Sequence, residues 1–178
     1  MITQTLEGDD GALLVAQLFD HYSDAIFAYL YRLLNSREAA EELAQETFLR
    51  AFKARHGLAQ AVNQRAWLYR VATNVAFDSM RRQRRFAWLP WSRVDELHVP
   101  HPDVAESANQ RDAVEKALLA LPLPYRAPLL LHSYDALTVR EVAETLEISE
   151  SAVKMRLRRA RQMFRKAYDS KENHGGLP

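Results

Sequence analysis

The chain has 178 residues, enough for one domain or two small ones, and 48% of them are apolar, so a packed core is within reach. Cysteine is absent, which excludes a disulfide framework and a thiolate zinc site and suits a reducing compartment. The net charge is only +1, and neither a basic segment leading into an apolar run nor a window of about 18 uncharged apolar residues occurs. The expectation is a cytoplasmic protein with no signal peptide and no membrane insertion.

The pattern is helical throughout, and no stretch alternates apolar and polar residues over strand length between turn residues. A first helix is predicted from about Asp9 to Leu34, burying Val15, Leu18, Phe19, Tyr22, Ile26, Tyr29, Leu30 and Leu33. Asn35 is read as the cap of a second helix, with Glu38 three residues on. Ala40, Leu43, Ala44, Thr47, Phe48, Ala51 and Phe52 form its inner face, and Gly57 is its stop. A loop leads to about Asn63, and a third helix runs from Gln64 to about Arg85 with Leu68, Val71, Ala72, Val75 and Met80 inward. Pro90, Pro100 and Pro102 then interrupt the pattern, among polar residues and the tryptophans Trp88 and Trp91, so Phe86 to about Asp103 reads as a linker. A fourth helix covers roughly Val104 to Ala120. Pro122 and Pro124 separate it from a short helix near Tyr125 to Tyr134.

Thr138 to Phe164 is the most specific stretch. Thr138 is a good N-cap, Glu141 completes a capping box, and Val142, Ala143 and Leu146 follow at helical spacing. Glu147 and Ile148 make a short break, after which Ser149 is a fresh N-cap. Val153, Leu157, Ala160 and Phe164 then share one face. Ser151, Met155, Arg158, Arg159 and Gln162 point the other way, with Lys154, Arg161 and Arg165 at the flanks. A helix buried on one side, basic on the other and docked across a tight turn is the architecture of a major-groove reader.

Charge is segregated along the chain. Gln64 to Arg85 carries Arg65, Arg70, Arg81, Arg82, Arg84 and Arg85 against Asp78 alone, and Glu150 to Tyr168 carries seven cations against Glu150 alone. The stretch between them, Val94 to Glu115, is acidic. Two basic helices either side of an acidic stretch suggest two contacts on a polyanion. In the third helix an aromatic start meets an arginine-rich end: rings can stack on extruded bases and arginines can track phosphates. Trp67 and Tyr69 can equally be core, which is the preferred reading for Trp67. Solvation is the plain alternative for the acidic outer face of the second helix, formed by Glu38, Glu41, Glu42, Gln45 and Glu46.

The run Gln45-Glu46-Thr47-Phe48-Leu49-Arg50-Ala51-Phe52, followed by Trp67-Leu68-Tyr69-Arg70-Val71-Ala72-Thr73-Asn74, resembles the first domain of extracytoplasmic-function sigma factors. Leu121-Pro122 with Arg126, then Thr138 to Ala160, resembles their second domain. The two groups occur in the family's order and cover about Leu14 to Tyr168. The resemblance implies an all-α chain of two small helical domains: a region 2-like domain over 9–85, a linker over 86–107, a region 4-like helix-turn-helix domain over 108–170 and a tail over 171–178. It implies binding to bacterial RNA polymerase core and to promoter DNA, and control by an anti-sigma factor. By resemblance, Glu38, Glu41, Glu42, Gln45 and Glu46 face the polymerase clamp. The loop of Gly57, Leu58 and Asn63, with Asn74, reads an unstacked −10 base, beside the phosphate-tracking Arg81, Arg82, Arg84 and Arg85. Ser151, Lys154, Met155, Arg158, Arg159, Arg161 and Gln162 face the −35 duplex. Two features depart from the family: Glu147 stands where a turn glycine is usual, and Ser151 and Ala152 replace a common glycine-threonine pair. A non-glycine residue at positive φ is costly.

Catalysis is not expected, nor a cofactor, metal or small-molecule substrate. There is no glycine-rich phosphate loop. Of the six histidines only His98 and His101 are near each other, without a further ligand pair, so solvated loop residues are the preferred reading. Trp88 and Trp91 fold back on a domain or contact a partner. The alternative function is a stand-alone helix-turn-helix regulator that binds duplex DNA, normally as a dimer on two half-sites.

Overall fold

The structure, a computed structural model, describes residues 10–83 and 110–172. Arg84, Arg85, Trp88, Trp91, His98, His101 and the tail's last residues lie outside the described residues. Those described form eight helices and no strand: α1 (Asp10–Leu34), α2 (Arg37–Lys53), α3 (Arg55–Ala59), α4 (Gln64–Gln83), α5 (Gln110–Leu119), α6 (Leu123–Ser133), α7 (Val139–Leu146) and α8 (Glu150–Glu172).

The first four helices close round one apolar centre. Ile26, Tyr29, Leu30 and Leu33 of α1 meet Ala40, Leu43 and Ala51 of α2, Leu58 of α3, and Leu68, Ala72, Val75 and Ala76 of α4, all buried. Tyr29 sits edge-on to Tyr69, with ring centroids 5.5 Å apart. The Thr73 hydroxyl donates to the Tyr69 carbonyl at 2.7 Å, so its 2.8 Å partner, the Tyr29 hydroxyl, is the donor of that second bond. No polar atom in this pair of rings is left for water, and burial pushes both phenols well above the usual tyrosine range.

Three expectations are corrected here. Asn35 does not cap α2. It takes φ 54° and donates to the Tyr31 carbonyl, terminating α1, while the Ser36 hydroxyl accepts from Ala39 N–H as the N-cap. Asparagine is among the few residues that tolerate this left-handed conformation. Gly57 is not a helix stop: α2 ends at Lys53, and Gly57 lies inside the short α3 without positive φ. Phe19 and Phe52, assigned to the core, are 50% and 46% exposed. Phe19 instead packs edge-on against Phe48 at 4.9 Å.

In the second half, α6 is buried along almost its whole length and α7 and α8 pack on it. Arg126 lies within it at 2% exposure, donating to Leu33 O at 2.8 Å, Leu119 O at 2.5 Å and Leu121 O at 2.8 Å. These carbonyls lie at or just past the ends of α1 and α5, where helix partial charge is negative, which is what makes a buried guanidinium tolerable there. Desolvation lowers its pKa to about 10, still charged at neutral pH.

The two halves pack against each other. Besides Arg126 reaching α1, α7 lies on α4, and Arg32 stacks over the Tyr134 ring at 4.8 Å.

Candidate nucleic-acid interface

The helix-turn-helix is built as its local sequence dictates. Thr138 Oγ1 accepts from Glu141 N–H at 3.2 Å, and Glu141 Oε2 accepts from Thr138 N–H at 2.8 Å, closing the capping box. Glu147 then takes φ 54° and ψ 42°, the left-handed turn that glycine would adopt without strain. Ser149 Oγ accepts from Ala152 N–H at 3.2 Å and starts α8. Val153, Leu157 and Ala160 are buried, so the opposite face of α8 is fixed outward. Ser151, Lys154, Met155, Arg158, Arg161 and Gln162 are exposed on that side. Arg159 is exposed too, and its guanidinium donates to the Tyr125 hydroxyl at 3.2 Å. The outward face therefore carries cations together with mixed polar and apolar side chains, side-chain types able to meet phosphates and base edges.

On α4, Asn74 is exposed at mid-helix, and Arg81 and Arg82 are exposed in its last turn. Arg81 is ion-paired to Asp78, and Arg82 donates to the Asp78 carbonyl at 3.3 Å. Asn63 caps the other end: its Oδ1 accepts from Ala66 N–H at 2.9 Å. Gly57 is exposed, with open space where a Cβ would stand. Leu58, placed on the DNA face from its loop position, is fully buried in the four-helix core and is withdrawn from it. Tyr69 is likewise buried and cannot stack on a base, whereas Trp67 is half-buried against the core.

On α2, Glu38, Glu41, Glu42 and Gln45 are exposed and Glu46 is half-buried. Two of these charges are paired on their own helix, Glu41 with Arg37 at 2.8 Å and Glu46 with Arg50 at 2.7 Å. The Arg50 hydrogen bond holds the Glu46 carboxyl below its ordinary range. Leu49 and Phe52 are exposed on the same helix, so the face combines apolar area with negative charge.

A further group was not legible in the sequence, because it forms between residues far apart in the chain. Tyr69 OH donates to Asp135 Oδ1 at 2.9 Å, and the Arg65 guanidinium donates to the Asp135 carbonyl. Asn63 Nδ2 donates to Glu141 Oε1 at 2.7 Å, Thr145 Oγ1 to Ala66 O at 3.5 Å, and Arg70 pairs with Glu147. Burial raises the Asp135 carboxyl to about 6, against the lowering effect of Tyr69, Arg32 and Arg65. Its Oδ2 is buried without a hydrogen-bond partner among the described residues.

Comparison with known proteins agrees with this geometry. The Sigma-70 region 2 family model matches residues 18–86, and the Sigma-70, region 4 model matches residues 111–164. The ECF RNA polymerase sigma factor SigW of Bacillus subtilis is 31% identical over 176 residues, covering 93% of each chain. SigL of Mycobacterium tuberculosis, also an ECF RNA polymerase sigma factor, is 32% identical over 158 residues, covering 86% of this chain and 88% of that one. Among solved structures, the sigma factor RpoE in complex with the anti-sigma factor NepR from Bartonella quintana shares the fold. Its TM-score is 0.69 at 22% identity, over 86% of this chain and 96% of that one.

Proposed function

Since the chain belongs to the family of extracytoplasmic-function RNA polymerase sigma factors, we propose that it binds bacterial RNA polymerase core in the cytoplasm and directs it to promoters, without catalysing a reaction itself. The observation that carries the reading is the pair of separate arginine-bearing surfaces, the outward face of α8 and the exposed side of α4, each fixed by burial of the opposite side. The α8 face reads the −35 duplex through Ser151, Lys154, Met155, Arg158, Arg159, Arg161 and Gln162. Asn63 and Asn74 hold an unpaired −10 base beside Gly57, with Arg81 and Arg82 on the strand's phosphates. The acidic and apolar face of α2 docks on polymerase. The resemblance to a sigma factor caught with an anti-sigma factor supports the same kind of inhibitory partner here. The chain works over residues 9–85 and 108–170 as two domains.

The stand-alone regulator is disfavoured, because a region 2 match has no role in it. The deciding experiment mixes purified chain with core polymerase and a library of promoter fragments. Promoter-dependent transcripts that require the chain are expected. Tight sequence-specific binding by the chain alone, with no transcripts, would refute the reading.

A further inference from the structure

On the outward face of α8 one arginine is held from behind. Arg159 lies one turn beyond Met155 and one turn before Gln162, so the three share a line along the helix. Its guanidinium donates through Nη1 to the Tyr125 hydroxyl at 3.2 Å. Tyr125 stands 34 positions earlier, in the first turn of α6. Its ring is 6% exposed and belongs to the apolar core, where α6 packs on α8. A ring so covered does not reach a duplex itself. Its oxygen is a fixed acceptor at the edge of the core, meeting a side chain that leads out of it.

Such a mount matters because of what an arginine loses on binding. Its long side chain samples many rotamers, and ordering them at an interface is costly. A guanidinium reads a base edge only with its plane aligned to the base, two N–H groups facing two acceptors. Anchoring to a phosphate makes no such demand and carries no sequence information. A hydrogen bond to a ring already locked in the core restricts that plane before DNA arrives. The bond engages a single N–H of a group that has several, so the fork is oriented rather than used up. The base edge that fits such a fork is the N7 and O6 pair of guanine.

We propose that Tyr125 is a positioning residue for −35 recognition: its hydroxyl orients the Arg159 guanidinium toward the N7 and O6 edge of a guanine, so that Arg159 reads sequence rather than only anchoring the backbone. This rests on the sigma-factor reading and adds to it a residue that governs specificity without touching DNA.

The test uses holoenzyme assembled with the full chain, selecting among promoter fragments randomised over the −35 element beside a constant −10 element. Tyr125→Phe keeps the buried ring and deletes only the acceptor. It should lower the preference for guanine at one −35 position by about three- to tenfold and leave the other positions within about twofold. Arg159→Lys, which keeps the charge and loses the fork, should lower the preference at that same position. In a chain already carrying Arg159→Ala, Tyr125→Phe should change nothing further, because the hydroxyl acts through that side chain. Three results overturn the proposal. They are a wild-type profile in Tyr125→Phe, a uniform weakening across all −35 sequences, and a Tyr125→Phe effect that persists in the Arg159→Ala background. Arg159→Lys leaves the core untouched, so it decides even where Tyr125→Phe fails to fold: a wild-type profile there refutes the proposal. A wild-type holoenzyme that selects no −35 sequence is a separate result, visible before any variant is made, and removes the sigma-factor reading itself.

Discussion

Replacing Arg126 with methionine tests whether one buried cation ties the two halves together. The guanidinium serves three carbonyls, Leu33 O, Leu119 O and Leu121 O; Leu33 and Leu121 are buried and Leu119 is half-buried. Hydrogen bonds to a charged group contribute about 1.5–3 kcal/mol each, so the gross loss is about 5–9 kcal/mol. Against this stands the cost of burying the charge. The fall in its pKa from 12.5 to about 10 corresponds to about 3.5 kcal/mol, at about 1.4 kcal/mol per pH unit. Methionine fills much of the same volume with no such cost, so the net destabilisation is about 1.5–5.5 kcal/mol. Urea unfolding followed by helical circular dichroism at neutral pH measures it directly. A loss below about 1 kcal/mol would mean that the three carbonyls find other donors, and the argument for Arg126 as the tie would fail.

Charge reversal at Glu42 and Glu46 should weaken binding to core polymerase in a titration while leaving the helical signal unchanged, because both lie on the solvent side of α2. Arg158→Ala should change which −35 sequence is preferred, whereas Arg161→Ala should weaken all sites alike and lower the salt slope of binding by about 1; selection from randomised duplexes separates the two. Asp135 should make stability fall as pH rises. Its folded pKa of about 6 lies above the ordinary 3.8, so the folded chain holds the proton more tightly, and stability present at about pH 4 is lost as pH passes 6. The change is up to about 3 kcal/mol. Asp135→Asn should flatten that part of the urea-stability profile, with Tyr69, Arg65 and Arg32 still facing the site; an unchanged slope would assign it to other groups.

What the sequence made legible was local. The capping box at Thr138, the Ser149 cap and the spacing of Val153, Leu157 and Ala160 each involve residues within a few positions of one another, and all appear in the fold. Errors arose where a partner from elsewhere decided the outcome. Leu58 looked like a loop residue until the four-helix core closed over it, and Phe19 and Phe52 fell on the apolar stripe yet face out. Arg126 carries a faint signal, a lone cation inside the apolar run LPYRAPLLL, but its carbonyl partners include one 93 positions away. Tyr69 and Asp135, 66 positions apart, had no signal at all.

The departure at the turn ties these levels together. Glu147 holds a left-handed conformation that costs a non-glycine residue roughly 1 kcal/mol relative to glycine. What the side chain gains is an ion pair with Arg70, in which the two side chains are 45% and 59% exposed. A pair that exposed contributes well under 1 kcal/mol after screening. The strain therefore outweighs the pair in stability, and the gain lies in where the pair is made, between α4 and the helix-turn-helix. Glu147→Gly separates the two effects because they have opposite signs. Global stability in urea should rise by a few tenths to about 1 kcal/mol, since the turn relaxes and little else is lost. Meanwhile the amides in the first turns of α4 should exchange with solvent faster, because α7 is held there less tightly. A variant that loses stability would show that the pair outweighs the strain. A variant that gains stability with α4 exchange unchanged would show that Glu147 plays no part in holding the two halves closed.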